Sequence, residues 1–284
     1  MRRETTDLRT VGFKYRCLKG KENMWGEKIF YEVFRQKLID KKDVYEIDFY
    51  IEGEEKYNNC TMGYIDDDGE DYYCFGLPVA DEKNYKYATA DEILNAKVFS
   101  GRSMHELWDK VCFSMINGLG AIDWAAYNCF GYYYCRKQDA CDVAKLAVKN
   151  QGGEYEALSK KLEAIVETDG NIIYTAYFKE KMVAFAYCSV ENDFPGYTDG
   201  PVGRIKAIYV EEEYRVHGIA SYLIRCCENW AGSKGCKYIA ADCGKDDENT
   251  GITKLCLFNG FKKMEEAPYC INDLSGNGER RYQR

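Results

Sequence analysis

Arg215, Gly218 and Ala220 stand in the run RVHGIAS, between a β-prone segment and an apolar helical pattern, and that placement suits the binding of a polyanion. Ile205, Ala207, Ile208, Tyr209 and Val210 form the β-prone run, which the Glu-rich corner Glu211 to Glu213 ends. Beyond the corner, Ile219, Leu223, Ile224, Cys227 and Trp230 recur at helical spacing. The first turn of a helix carries free backbone N–H groups and the positive end of the dipole. Val216 to Ser221 can therefore wrap a pyrophosphate, provided the side chains at Gly218 and Ala220 stay small. His217 lies inside this loop and is expected to offer its backbone, with its imidazole in solvent.

Two other groupings carry less chemistry. Asp66, Asp67, Asp68, Glu70 and Asp71 lack the spacing of an EF-hand calcium loop and its terminal Glu, so a solvated turn is the better reading. The 14 cysteines include no Cys-x-x-Cys pair, and with only His105 and His217 available a zinc site has poor support. Cys129, Cys135 and Cys141 are evenly spaced, but a strand, its end and a following helix would point them in different directions. Most of the cysteines are expected to be small buried apolar residues.

The spacing R-x-x-G-x-A after a strand ending in Ile208-Tyr209-Val210 resembles the acetyl-CoA-binding motif of the GNAT superfamily of N-acetyltransferases. A second motif of that family begins with Asn, and Asn249 is followed by Gly260 and Phe261 eleven and twelve residues later, after the strand-like Lys237 to Cys243. The resemblance runs from near Phe130 to the C-terminus. It implies an α+β fold with a GNAT-like mixed, mostly antiparallel sheet flanked by helices. It also implies that acetyl-CoA is held by the backbone of Ile208, Tyr209 and Val210, one N–H facing the thioester oxygen. The loop Arg215, Val216, His217, Gly218, Ile219, Ala220 and Ser221 would take the pyrophosphate, and the Asn249 amide would bond the cofactor or cap the next helix. The usual general acid is a Tyr seven residues after that Asn, a position held here by Cys256. A thiol has a pKa of ~8.5 against ~10 for tyrosine and a shorter reach, so Cys256 is either an acid or a packing residue. Asp242, near the end of its strand, is the preferred base, and Glu211, with Glu212 and Glu213, is the alternative. No metal is expected.

The elements that must position these groups alternate in the order strand, two helices, two hairpin strands, strand, helix, strand, helix, strand. Phe130 to Lys137 is strand-like, Asp139 to Asn150 and Glu154 to Glu167 are helical, and NIIYTAYFKEKMVAFAYCSV reads as two strands around Lys179 to Lys181. The last strand is hard to place, since after NDLSGNG only ERRYQR remains. Ahead of this GNAT domain, residues 126–284, lies a smaller α+β domain, residues 1–125, that matches no motif. Its expected parts are a helix through Met24, Trp25, Ile29, Phe30, Val33, Phe34 and Leu38, a strand at Val44 to Gly53 and an aromatic hairpin around Asp66 to Asp71. Helices are expected at Ala90 to Lys97 and, capped by Ser103, at Ser103 to Ile116.

With 47 acidic and 39 basic residues the formal charge is −8, which argues against a protein whose main task is holding DNA or RNA. There is no apolar signal segment and no run long enough to span a bilayer, so a reducing cytoplasm is the expected location. The leading expectation is an acetyl-CoA-dependent N-acetyltransferase whose acceptor is a small cationic amine, with a homodimer also allowed. Alternatives are a protein N-acetyltransferase, a non-catalytic acyl-CoA sensor, and a working N-terminal domain with a regulatory GNAT partner.

Overall fold

The computed structural model describes residues 28–40, 44–67, 70–77, 85–197, 200–215, 217–243, 251–264 and 267–275. The chain forms two compact units, one drawn from Tyr15–Cys129 with Val216–Gly218 and the other from Phe130–Arg215 with Ile219–Arg284. Of the sequence-marked positions, Met24, Trp25, Asp68, Val216, Asn249 and the terminal ERRYQR fall outside the described residues.

In the first unit an antiparallel sheet runs in the order β4-β3-β2-β1-β5-β6, from β1 (Glu46–Ile51), β2 (Cys60–Asp67), β3 (Glu70–Gly76), β4 (Tyr85–Tyr87), β5 (Val111–Ile116) and β6 (Leu119–Gly120). Among the described residues three helices accompany it, α1 (Tyr31–Ile39), α2 (Ala90–Asn95) and α3 (Ala121–Asn128). Ile47, Phe49 and Ile51 alternate inward from β1, as a strand with one buried face requires. Phe34 from α1 meets Phe113 from β5 at 4.9 Å between ring centroids, within a cluster that also takes in Trp108 and Trp124. Asp66 sits opposite Asp71 across the β2–β3 hairpin.

The helix expected over Ser103 to Ile116 does not form. Ser103 caps only a short turn, accepting from the Glu106 N–H at 3.2 Å, and a 3-10 turn at Trp108–Lys110 leads into β5. Val111, Cys112 and Phe113 are all buried and pair with β1, so sheet pairing of a β-branched and aromatic run outweighs a helical spacing that Met104, Leu107, Trp108 and Val111 also satisfy.

The second unit is built on a seven-stranded sheet in the order β12-β13-β11-β10-β9-β8-β7. Its strands are β7 (Gly131–Tyr134), β8 (Asn171–Phe178), β9 (Lys181–Glu191), β10 (Val202–Val210), β11 (Tyr238–Asp242), β12 (Lys262–Lys263) and β13 (Tyr269–Asp273). Its helices are α4 (Ala140–Gln151), α5 (Tyr155–Val166), α6 (Ile219–Ser233) and α7 (Gly251–Phe258). Only β10 and β11 pair in parallel, joined through α6, and the other pairs are antiparallel. This is the mixed, mostly antiparallel α+β sheet that the family resemblance implies. Among the described residues the final strand is β13, which ends at Asp273. Among the described residues no helix is long and apolar enough to cross a membrane.

Two glycines are structural necessities in this unit. A Cβ on Gly203 would lie 2.6 Å from the Ala231 Cβ, so the absence of a side chain lets α6 sit close on β10. Gly260 has φ 87° and ends α7 in a Schellman arrangement, with the Phe261 N–H on the Cys256 carbonyl and the Gly260 N–H on the Leu257 carbonyl, both at 3.0 Å. The Gly-Phe pair of the second motif is thus a helix stop whose Phe261 is buried.

Candidate active site

The site begins with a change of register. β10 pairs with β9 along its length, but the pairing slips between Ile205 and Ala207, leaving Lys206 as the extra residue of a bulge. On its other edge β10 pairs with β11 only from Val202 to Ile205. Among the described residues, Ala207 to Val210 have no strand partner on that side. The bulge therefore marks where two parallel strands part and leave backbone N–H and C=O groups facing a gap. Ile208, Tyr209 and Val210 occupy this parted segment.

The chain then turns through Glu212–Tyr214 and Arg215, whose Nε donates to the Val210 carbonyl at 3.2 Å and fastens the loop to the end of β10. Gly218 follows with φ 73°, a conformation that favours glycine, immediately ahead of α6. α6 is long, and Ile219, Leu223, Ile224 and Cys227 face inward on it, so the position of its N-terminus is fixed by the core. Ala220 stays partly exposed at its first turn, while the Ser221 hydroxyl accepts from the Asn259 Nδ2 at 3.1 Å. Asn259, at the end of α7, carries no sequence signal that marks it as a tie to the start of α6.

His217 differs from the expectation. Its imidazole is only partly in solvent: Nδ1 lies 2.9 Å from the Lys28 carbonyl, and the ring packs on Phe30 with 4.0 Å between centroids. Burial pushes its pKa below the usual imidazole range, although the carbonyl pulls the other way, so the ring is neutral at pH 7 and Nδ1–H is the donor. Gly218 belongs to the same unit, where an added Cβ would lie 3.2 Å from Ile122, so its small size is also a packing requirement.

The three acid–base candidates fall into three separate networks. Asp242, at the end of β11, is held by Arg204 in a two-pronged pair with both distances 3.0 Å. Arg204 reaches Glu191 as well, at 3.2 Å, and Lys206 approaches the same carboxylate at 3.0 Å. Glu211 is only 4% exposed and is gripped by Lys149 at 2.8 Å and Lys181 at 2.6 Å. Burial raises its pKa, but the hydrogen bonds from the two lysines outweigh burial and hold the carboxyl below its ordinary range. Cys256 is fully buried, its sulfur 3.8 Å from that of Cys243. The bond to Cys243, aided by burial, drives the Cys256 pKa up, and the same bond pulls Cys243 down.

Beside the Arg204 network lies an aromatic group, with the Arg204 guanidinium 6.0 Å from the Phe194 ring centroid. Phe194 meets Tyr269 edge-on at 4.9 Å, Tyr197 meets Tyr238 at 4.8 Å, and the Tyr269 hydroxyl donates to the Pro195 carbonyl at 3.3 Å. Tyr269 pairs with Asp242 across β11 and β13, which brings ring and carboxylate together. The strand pattern alone does not bring Tyr238 and Tyr269 next to Phe194 and Tyr197.

Comparisons with known proteins find relatives of the second unit. The model of the Acetyltransferase (GNAT) family matches residues 141–253. Aminoglycoside N(6')-acetyltransferase type 1 of Salmonella typhimurium is 30% identical over 104 residues, which span 36% of this chain and 70% of that one. The enzyme of the same name from Acinetobacter genomosp. 13 is 27% identical over 116 residues, 40% of this chain and 78% of its own. Among solved structures, an aminoglycoside N-acetyltransferase in complex with CoA is 25% identical and covers 49% of this chain and 91% of that one, at a TM-score of 0.45. With its parallel β10–α6–β11 unit and the family match across it, the chain belongs to the GNAT family and is an acetyltransferase.

Proposed function

We propose that this enzyme transfers the acetyl group of acetyl-CoA to a primary amine of a small cationic acceptor of the amino-sugar class. The parting of β10 from β11 after the bulge carries the reading, because it leaves backbone donors where a thioester and its pantetheine arm can be held. The start of α6 supplies N–H groups for the pyrophosphate, with Arg215, His217, Gly218, Ile219, Ala220 and Ser221 along the approach and Val216 and Asn249 as further proposed contacts. The amine nitrogen attacks the thioester carbonyl; a C–N bond forms, the C–S bond breaks, the amine loses a proton and the CoA thiolate gains one.

The acceptor class rests on the carboxylates Asp242 and Glu191 beside the Phe194, Tyr197, Tyr238 and Tyr269 rings. Carboxylates and aromatic faces together suit an ammonium-bearing molecule, and the relatives from Salmonella and Acinetobacter are named for aminoglycosides. Asp242 is the proposed base, acting through water because Arg204 occupies both its oxygens. Cys256 is not the proposed acid, since its sulfur is enclosed and turned to Cys243.

Thiol release from acetyl-CoA across a panel of amino sugars, polyamines and peptide N-termini tests the acceptor class. Amino sugars should give the highest kcat/KM, and preference for a peptide would overturn that class. Ala220→Asp, which sets a negative charge where the pyrophosphate would lie, should weaken acetyl-CoA at least about tenfold by calorimetry with the fold intact. Unchanged affinity would remove α6 from the binding site. Cys256→Ala should leave the pH–rate profile unmoved, whereas loss of its basic limb would restore the thiol as the acid.

A further inference from the structure

We propose that Cys243, Cys256 and Cys270 form a three-thiolate site for a thiophilic d10 metal ion. Their sulfur atoms all lie within 4.8 Å of one another, and all three residues are buried. The elements explain the convergence. Cys270 pairs with Ala241 across β13 and β11, so Cys243, two residues on, lies on the same face one step along, and the Cys243 N–H is fixed to the Pro268 carbonyl at 2.9 Å. Cys256 comes from α7, whose end is locked by Gly260 and Phe261.

The spacing is within reach of metal coordination, with all three sulfurs inside 4.8 Å. Zinc–sulfur bonds of ~2.3 Å at tetrahedral angles set sulfurs about 3.8 Å apart, and a trigonal site sets them about 4.0 Å apart. The Cys243–Cys256 separation is 3.8 Å. Thiols are weak hydrogen-bonding partners, which gives three of them little reason to gather. Among the described residues no fourth histidine, cysteine or carboxylate joins the group. Three soft donors then leave two options, trigonal Cu(I), or Zn(II) with a fourth ligand from solution. Lys263, opposite Cys270 in β12, places a cation beside the negative charge such a site would carry. Sequence spacing hides the group because its members are thirteen and fourteen residues apart, just past one strand, in a helix and in another strand.

The test uses the full chain, reduced, stripped with a chelator and kept anaerobic. Zn(II) is titrated against a chromophoric chelator and Cu(I) against a bathocuproine competitor. One equivalent of one of these ions should be retained, and Cys270→Ser should weaken it by at least about a hundredfold, more than the loss of an outer-shell partner costs. Retention of neither ion, or a Cys270→Ser chain that titrates like the wild type, overturns the site. A second measurement needs no variant: brief denaturation with an alkylating agent should spare Cys243, Cys256 and Cys270 in the metal-loaded chain and modify them in the stripped one. Protection of other cysteines instead would also overturn it.

Discussion

Arg204 decides what the carboxylates around it can do. By holding both oxygens of Asp242 and reaching Glu191, which Lys206 also meets, it fixes two acids beside the aromatic group within a charge-balanced network. Asp242→Asn should raise KM for a cationic amine about tenfold, since one charge-assisted contact is lost, and leave acetyl-CoA affinity unchanged. Steady-state kinetics with each substrate varied will check this. Glu211 has a different fate. Its folded pKa is depressed, so its pairing with Lys149 and Lys181 adds stability above the unfolded carboxylate pKa and loses it as pH falls through the folded value. Glu211→Gln should therefore lower Tm clearly at pH 7, with the gap to wild type closing as pH falls below the carboxylate range. A gap that stays constant with pH would show that the charge of Glu211 is not what the lysines stabilise.

At the scale of elements, close approach of α6 to β10 depends on Gly203. Gly203→Ala should destabilise the protein by about 1–3 kcal/mol in chemical denaturation, because the new methyl would meet Ala231 and Ile239. Such contacts also explain what could be read from the chain. The β10–α6 junction was legible because the β-prone run Ile208 to Val210 is followed by the Ile219, Leu223, Ile224, Cys227 stripe at helical spacing. The stretch Met104 to Ile116 was not, because a helical spacing overlaps a strand whose partner, β1, lies about sixty residues earlier. His217 was misplaced for a related reason: Lys28 and Phe30, which enclose its ring, are remote in sequence. Asp242 could be assigned to a strand end, but the hold of Arg204 on it depends on the β10–β11 register and is invisible locally.

For the molecule as a whole, the formal charge of −8 favours encounter with cations at long range. Raising ionic strength should therefore raise KM for a cationic acceptor, while an uncharged amine of similar size should not respond. A flat KM for the cation would confine its recognition to the contacts around Asp242 and Glu191. The parted strands have a consequence of another kind. A strand whose hydrogen-bonding edge stands open within a sheet invites whatever chain can complete it. The pantetheine arm carries two amides and can lie in that opening as a surrogate strand, a form of β-augmentation by a substrate rather than by a peptide. Backbone amides of Ala207 to Val210 that point away from β9 should then exchange with deuterium quickly in the free enzyme and slowly once acetyl-CoA is bound. The same opening makes the substrate-free enzyme the form most prone to edge-to-edge association, so the acetyl donor should act as a solubiliser as well as a reactant.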